Sequence, residues 1–279
     1  KKKRLRGAGR CAYVTLIASD DFTLGGLVLA DSLERAGASY PLVAMVTSSV
    51  SEASRAVLRA LGVEVVDVDP IANPFSSFKD SLEETAWAQV YTKVQAWSLT
   101  QYERVLFMDA DQVVLRNIDN LLNVSALDLP GGFGAVPDVA PPIFFNSGFM
   151  LITPSKERHD DLLSKTRTLA SYDDGDQGYL NAYFGQDWVR LDYTYNFMKS
   201  KTGNPDAFYW ILNNKWSNIK VVHMVGVKPW RCTSHRDCGG FPERVIPRLW
   251  ALWWDAFMDM CEAQSQVIVC HSPLEGLPA

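Results

Sequence analysis

Arg104-Val-Leu-Phe-Met-Asp-Ala-Asp111 is the stretch on which the fold turns: an apolar run that ends on two acidic residues one position apart. Four apolar residues in a row with no alternation read as a strand buried on both faces, the kind found inside parallel sheets. In extended backbone, residues i and i+2 point the same way, so Asp109 and Asp111 can converge on one ion at the carboxyl end of such a strand. In open α/β sheets that edge is where ligands sit. A solvated acidic turn is the competing reading of the same residues.

Working outward, Cys11 to Ala18 is a β-rich apolar run, Ser19-Asp20-Asp21 a capped turn, and Leu27, Ala30, Leu33 and Ala36 keep helical spacing. Leu42 to Thr47 reads as strand, Ser51 to Leu61 as helix and Glu64 to Val68 as strand again. This alternation predicts a single α/β domain whose central sheet is mixed but mostly parallel, with right-handed crossovers and helices on both faces. Downstream, a helix is expected from Glu83 to Leu99, strands over Asn146 to Ile152 and Lys220 to His223, and helices over Lys156 to Ala170 and Gly178 to Phe184. A Pro/Gly-rich stretch runs from Leu129 to Pro142.

With 47% hydrophobic and 21% charged residues, the 279-residue chain has enough apolar material for a sizeable core. A net charge of -5 argues against a broad nucleic-acid surface. The basic cluster, residues 1–10, reads as a disordered arm or as the remnant of a basic segment beside a membrane anchor, and residues 11–279 as one continuous folded domain. No stretch approaches the roughly 18 uninterrupted apolar residues of a membrane span, so such an anchor is expected outside this sequence. The five cysteines, Cys11, Cys232, Cys238, Cys261 and Cys270, contain no CxxC pair. One or two disulfides fit better than a zinc site, and Cys232 and Cys238 have the spacing most readily bridged; reduced buried thiols are the alternative. Asn123-Val-Ser125 is an N-glycosylation sequon, which with the cysteines points toward the secretory pathway.

His223 also follows a β-branched apolar run and stands before Met224-Val-Gly226-Val-Lys228-Pro-Trp230. Two carboxylates and one imidazole leave about half of an octahedral shell open, and the mixed O/N set suits Mn²⁺ better than Mg²⁺. The open positions would take diphosphate oxygens, and Lys228 could add a second positive charge there. A strand-end histidine hydrogen-bonded in the core is the bland alternative.

The strings at Tyr13 to Leu16, Thr92 to Tyr102, Phe107 to Asp111, Phe145 to Gly148, Asp174 to Asn181 and His223 to Trp230 resemble, in order, the glycogenin-like family of retaining glycosyltransferases. The resemblance implies a GT-A type, Rossmann-like fold, a UDP-sugar donor and Mn²⁺. Within that family, the spacing from His223 to Lys228, followed by Trp230-Arg-Cys232 and Arg236-Asp-Cys238, is most similar to the plant xylan glucuronosyltransferases. The resemblance implies Asp109, Asp111 and His223 as metal ligands, with Ala110 also at the donor and Gly226 and Lys228 facing the diphosphate. Leu16, Ala18, Ser19 and Phe22 fall where the family holds uracil and ribose. Lys93, Asn146, Ser147, Asp173, Asp176 and Gln177 fall around the donor sugar, with Lys93, Asp176 and Gln177 as catalytic candidates. Simpler readings are a helix amino end for Asp173, Asp174 and Asp176, a turn for Asn146 and a solvated helix face for Lys93.

The expected activity is transfer of a sugar, glucuronic acid foremost, from UDP to a hydroxyl of a polysaccharide such as xylan, in the Golgi lumen. A cytoplasmic, glycogenin-like self-glucosylating enzyme with Tyr195 or Tyr209 as acceptor is the alternative, and a catalytically silent carbohydrate-binding scaffold is a third reading. Arg190, Arg231 and Arg236 are candidates to pair a glucuronate carboxylate. Trp250, Trp253 and Trp254 read as core packing or as a sugar-stacking platform.

Overall fold

The computed structural model describes residues 11–75, 88–123, 128–138, 143–198, 216–231 and 246–264. The basic arm, Cys232, Cys238, Cys270, Arg236 and Tyr209 lie outside them.

Strands β1 (Cys11–Ile17), β2 (Leu42–Val46), β3 (Glu64–Asp67) and β4 (Arg104–Met108) pair in parallel, in the order β3-β2-β1-β4. The sheet continues through β7 (Phe145–Ile152), β6 (Phe133–Pro137) and β8 (Val189–Arg190). β7 runs antiparallel to both β4 and β6, which makes the sheet mixed. Its two faces feed two cores. Along β4, Leu106 and Met108 enter the one containing Tyr13, Ile17, Ala44 and Val46, while Val105 and Phe107 enter the one containing Ala12, Val14, Val43 and Met45. An unbroken apolar run is what a strand needs when successive side chains face opposite cores.

The first core is closed by α1 (Thr23–Arg35), α2 (Glu52–Ala60) and α5 (Ile246–Ala263). Ser51 caps α2, its Oγ accepting from the Ser54 amide at 3.2 Å, which satisfies one of the orphan donors of the first turn. The second core is covered by α3 (Lys156–Lys165) and α4 (Asp176–Phe184). Trp250 and Trp253 are fully buried on α5, so core packing holds for these two; Trp254 is half-buried and stacks on Trp250.

Two expectations need correction, and one feature is new. The described part of the Glu83–Leu99 helix is a 3₁₀ helix over Val90–Ser98. Its apolar residues Tyr91, Val94 and Trp97 repeat every three positions and are buried, the spacing that three residues per turn stacks on one face. The Lys156 helix stops at Lys165 rather than Ala170. A second, three-stranded sheet was not anticipated: β10 (Val221–His223) lies between β5 (Gln112–Val114), antiparallel to it, and β9 (Phe197–Met198), parallel to it.

Cys11 is a buried free thiol, and Cys261 is disulfide-bonded to a partner outside the described residues. No helix among the described residues is long and apolar enough to cross a membrane.

Candidate metal and donor site

Asp109-Ala-Asp111 is not an extended end of β4. It is the turn joining β4 to β5, closed by the Gln112 amide donating to the Asp109 carbonyl at 3.2 Å, while the Asp109 amide donates to the Gly148 carbonyl at 2.9 Å. The carboxylates therefore converge through a turn and not through i, i+2 alternation. The small sheet supplies the third group: His223 on β10 sits in register with Gln112, and the Met224 amide donates to the Asp111 carbonyl at 3.0 Å. His223 Nε2 lies 3.1 Å from Asp111 Oδ1 and 3.6 Å from Asp109 Oδ2. One ligand atom from each residue falls within 4.8 Å of the others. Two carboxylate oxygens and an imidazole nitrogen at this spacing fit a divalent first-row cation with open coordination positions.

Each carboxylate also carries an ammonium group. Lys228 Nζ is 2.5 Å from Asp111 Oδ2, and Lys93 Nζ bridges Asp109 Oδ1 at 3.0 Å and Asp176 Oδ2 at 2.9 Å. Lys93 is therefore buried and ion-paired, not on a solvated helix face. Burial works against its charge, but Asp109 and Asp176 outweigh that and hold its pKa above the ordinary lysine value. Burial likewise opposes ionisation of Asp111, yet Lys228 and His223 keep its carboxyl well below the usual range.

Two glycines make the cluster possible. A Cβ on Gly148 would lie 2.3 Å from His223 Cε1 and 2.7 Å from Asp109 Oδ2, and one on Gly25 would lie 2.6 Å from the Ala110 carbonyl oxygen. Neither position accepts a side chain while the neighbours stay put.

The cluster floors a cleft of about 780 Å³. Leu16, Ala18, Phe22, Ala110, Gly226 and Lys228 line it, together with Val225, Val227 and Arg231, which carries an ion pair to Asp21. Ser19 does not line it; its carbonyl caps the turn leading into α1, accepting from the Phe22 amide at 3.1 Å. Lys93, Asn146, Ser147, Asp173, Asp176 and Gln177 line the cleft as well. Gln177 Oε1 accepts from Asn146 Nδ2 at 2.8 Å, and its Nε2 donates to Asp138 Oδ2 and the Tyr172 hydroxyl, both at 2.9 Å. Asp173 has a helix-end role too, Oδ1 accepting from the Gly175 and Gly178 amides at 2.9 Å. Asp174, in the left-handed region at φ 55°, is outside the lining.

Sequence reasoning passed over Asn196, Gln112, Asp138 and Tyr172. Asn196 and Gln112 are polar residues in otherwise apolar strand-like stretches, which was the available signal. Tyr195, an acceptor candidate, is buried, its hydroxyl taking hydrogen bonds from Asn120 at 2.8 Å and Lys220 at 2.7 Å. Arg190 packs over Trp188, 4.4 Å from the ring centroid, and does not line the cleft.

Comparison with known proteins agrees with this geometry. The chain is 34% identical to rabbit glycogenin-1 over 256 residues, which is 88% of this chain and 75% of that protein. It is 34% identical to the putative UDP-glucuronate:xylan alpha-glucuronosyltransferase 5 of Arabidopsis thaliana over 91% of this chain, but spans only 43% of that longer protein. In fold it is similar to the glycosyltransferase GlyE of Streptococcus pneumoniae, with a TM-score of 0.64 and 18% identity over 93% of this chain and 64% of that one. An active-site mutant of LgtC aligns with a TM-score of 0.59 and 20% identity, covering 90% of this chain and 95% of that one. Both neighbours support the GT-A architecture. Residues 13–234 match the glycosyl transferase family 8 pattern, and this chain is a member of that family of retaining glycosyltransferases.

Proposed function

We propose that this chain transfers glucuronic acid from its UDP conjugate to a hydroxyl of a xylan-type polysaccharide, using Mn²⁺ held by Asp109, Asp111 and His223. One observation carries the reading: an Asp-Asp-His cluster, two of its members buried, and a set of amide and carboxylate groups share a single cleft. Bound there, the cation would act as a Lewis acid that neutralises the departing diphosphate. Lys228 adds positive charge beside Asp111, and Leu16 and Phe22 offer apolar surface to a nucleobase. Asn146, Ser147 and Gln177 present donors and acceptors to sugar hydroxyls. Asp176 is ion-paired to Lys93, which suits it to orienting the sugar rather than to attacking it.

A glucuronate carboxylate calls for a cation, and Arg231 is the arginine candidate that lines the cleft among the described residues. For the acceptor, the Tyr172 ring is 52% exposed and stacks on Phe144 at 4.7 Å, beside Gln177; an exposed aromatic face suits the C–H face of a sugar. An exposed Asn123 in the sequon and a disulfide at Cys261 support a secretory, Golgi-lumen setting.

Hydrolysis of UDP-glucuronic acid, UDP-glucose, UDP-galactose and UDP-xylose, each with and without Mn²⁺ and xylo-oligosaccharide, tests the proposal. Mn²⁺-dependent preference for UDP-glucuronic acid supports it, and preference for another donor overturns the choice of sugar. The longer coverage of glycogenin favours a second reading, self-glucosylation. Label passing from radioactive UDP-glucose to the protein without acceptor would establish that reading, with Tyr195 already engaged inside the fold. A silent scaffold would show no melting shift with Mn²⁺ and UDP, where the enzyme gains stability from both.

A further inference from the structure

We infer that Gln112 and Asn196 are positioning residues that fix the tautomer of His223 and present its Nε2 lone pair to the metal. The inference rests on the reading of Asp109, Asp111 and His223 as ligands. All three members of this relay are buried, at 0%, 1% and 3% exposure.

The assignment of every proton follows from one residue's backbone. The Gly148 carbonyl can only accept, and the Gln112 side-chain amide lies 2.9 Å from it, so the near atom is Nε2 and donates. The same Nε2 lies 3.0 Å from an Asn196 side-chain atom, which must therefore be the acceptor Oδ1. From the other side, the Gly148 amide can only donate, and it meets Asn146 at 3.0 Å, which makes that atom Oδ1. Asn146 Oδ1 in turn accepts from Asn196 at 2.9 Å, so that Asn196 atom is Nδ2. The two chains of logic, starting from the carbonyl and the amide of Gly148, orient Asn196 the same way.

His223 Nδ1 lies 3.1 Å from Asn196 Oδ1. An oxygen with no hydrogen demands a donor opposite, so Nδ1 carries a proton, and in the neutral ring the lone pair is the one on Nε2. Nε2 is also the nitrogen facing Asp109 and Asp111. A lone pair directed at two carboxylates is repulsive by itself and becomes favourable once a proton or a metal ion lies among them. The relay thus holds the ring in the form a metal needs, and a hydrogen bond on the far nitrogen raises the ligand's basicity.

The test is titration of the protein with Mn²⁺ alone, free Mn²⁺ being read by electron paramagnetic resonance, with thermal melts in metal-free buffer to verify folding. Wild type should bind; failure to bind would sink the ligand assignment itself, a different outcome from failure of the relay. Asn196→Leu should weaken Mn²⁺ affinity about 10- to 100-fold. Asn196→Asp still offers an acceptor to Nδ1–H and should recover a large part of that loss, which a purely structural role would not predict. Gln112→Leu, which leaves Asn196 free to flip, should give a smaller loss in the same direction and serves if Asn196→Leu does not fold. Wild-type Mn²⁺ affinity in folded Asn196→Leu or Gln112→Leu, or Asn196→Asp no better than Asn196→Leu, would overturn the inference.

Discussion

Asp109 and Asp111 are one residue apart, yet they belong to different neighbourhoods. The Asp111 side chain is 2% exposed and is held by His223 and Lys228, both delivered by the small sheet and the loop after it. The Asp109 side chain is 24% exposed and is held by Lys93, which the 3₁₀ helix brings from the other side and shares with Asp176 at the start of α4. The Asp111 side is a compact ion cluster in which neighbouring charges satisfy one another. The sugar side beyond Lys93 is a web of amides and carboxylates whose hydrogen bonds can be exchanged for those of a ligand. The turn joins a wall built for charge to a wall built for recognition.

The largest effect should come from breaking the charge wall. Asp111→Ala should lower metal-dependent kcat by at least about 100-fold with the fold retained; steady-state rates and circular dichroism check it, and near wild-type turnover would remove Asp111 from the metal site. Lys93→Met comes next, and it acts on stability. It leaves Asp109 and buried Asp176 without their shared cation, at an expected cost of about 3–5 kcal/mol in denaturant unfolding. Lys228→Met should cost less, because the Lys228 side chain is more exposed, at 20% against 11% for Lys93; equal losses would erase the distinction between the two lysines. On the recognition wall, Gln177→Leu should reduce kcat by about 10- to 100-fold while Mn²⁺ affinity stays at the wild-type value. A parallel loss of Mn²⁺ binding would mean that the two walls do not act separately.

The smallest expected effect is a pH dependence. The folded-state pKa of Asp111 lies below its unfolded value because Lys228 and His223 overcome the cost of burial. Its stabilising contribution is therefore present above the unfolded value of about 4 and is lost as pH falls below it toward the folded pKa. Metal-free wild type should lose stability on acidification below about pH 4 more steeply than Asp111→Asn. Parallel profiles for the two proteins would contradict this.

The chemistry of the charge wall was readable because it sits at the ends of short apolar runs: Val105 to Met108 leads into Asp109, and Val221-Val222 leads into His223. The recognition wall was readable only through resemblance, since a lone Asn, Gln or Asp beside a turn has an ordinary structural explanation. For Asp173, whose carboxylate caps backbone amides and also faces the cleft, both readings hold at once.

The amino-acid pattern by itself determined the parallel half of the main sheet and singled out Asp109, Asp111 and His223 as candidates for one site, because strand periodicity and strand-end polarity are local properties. Tertiary structure alone decided how those members meet. The pairing of β5 with β10, 107 positions apart at the Val114–Val221 contact by subtraction of their numbers, brings His223 to the turn and leaves no trace in either segment. The pairing of β10 with β9 brings Asn196, the residue before β9, beside Gln112, and a polar residue's role in a buried network depends on which backbone groups face it.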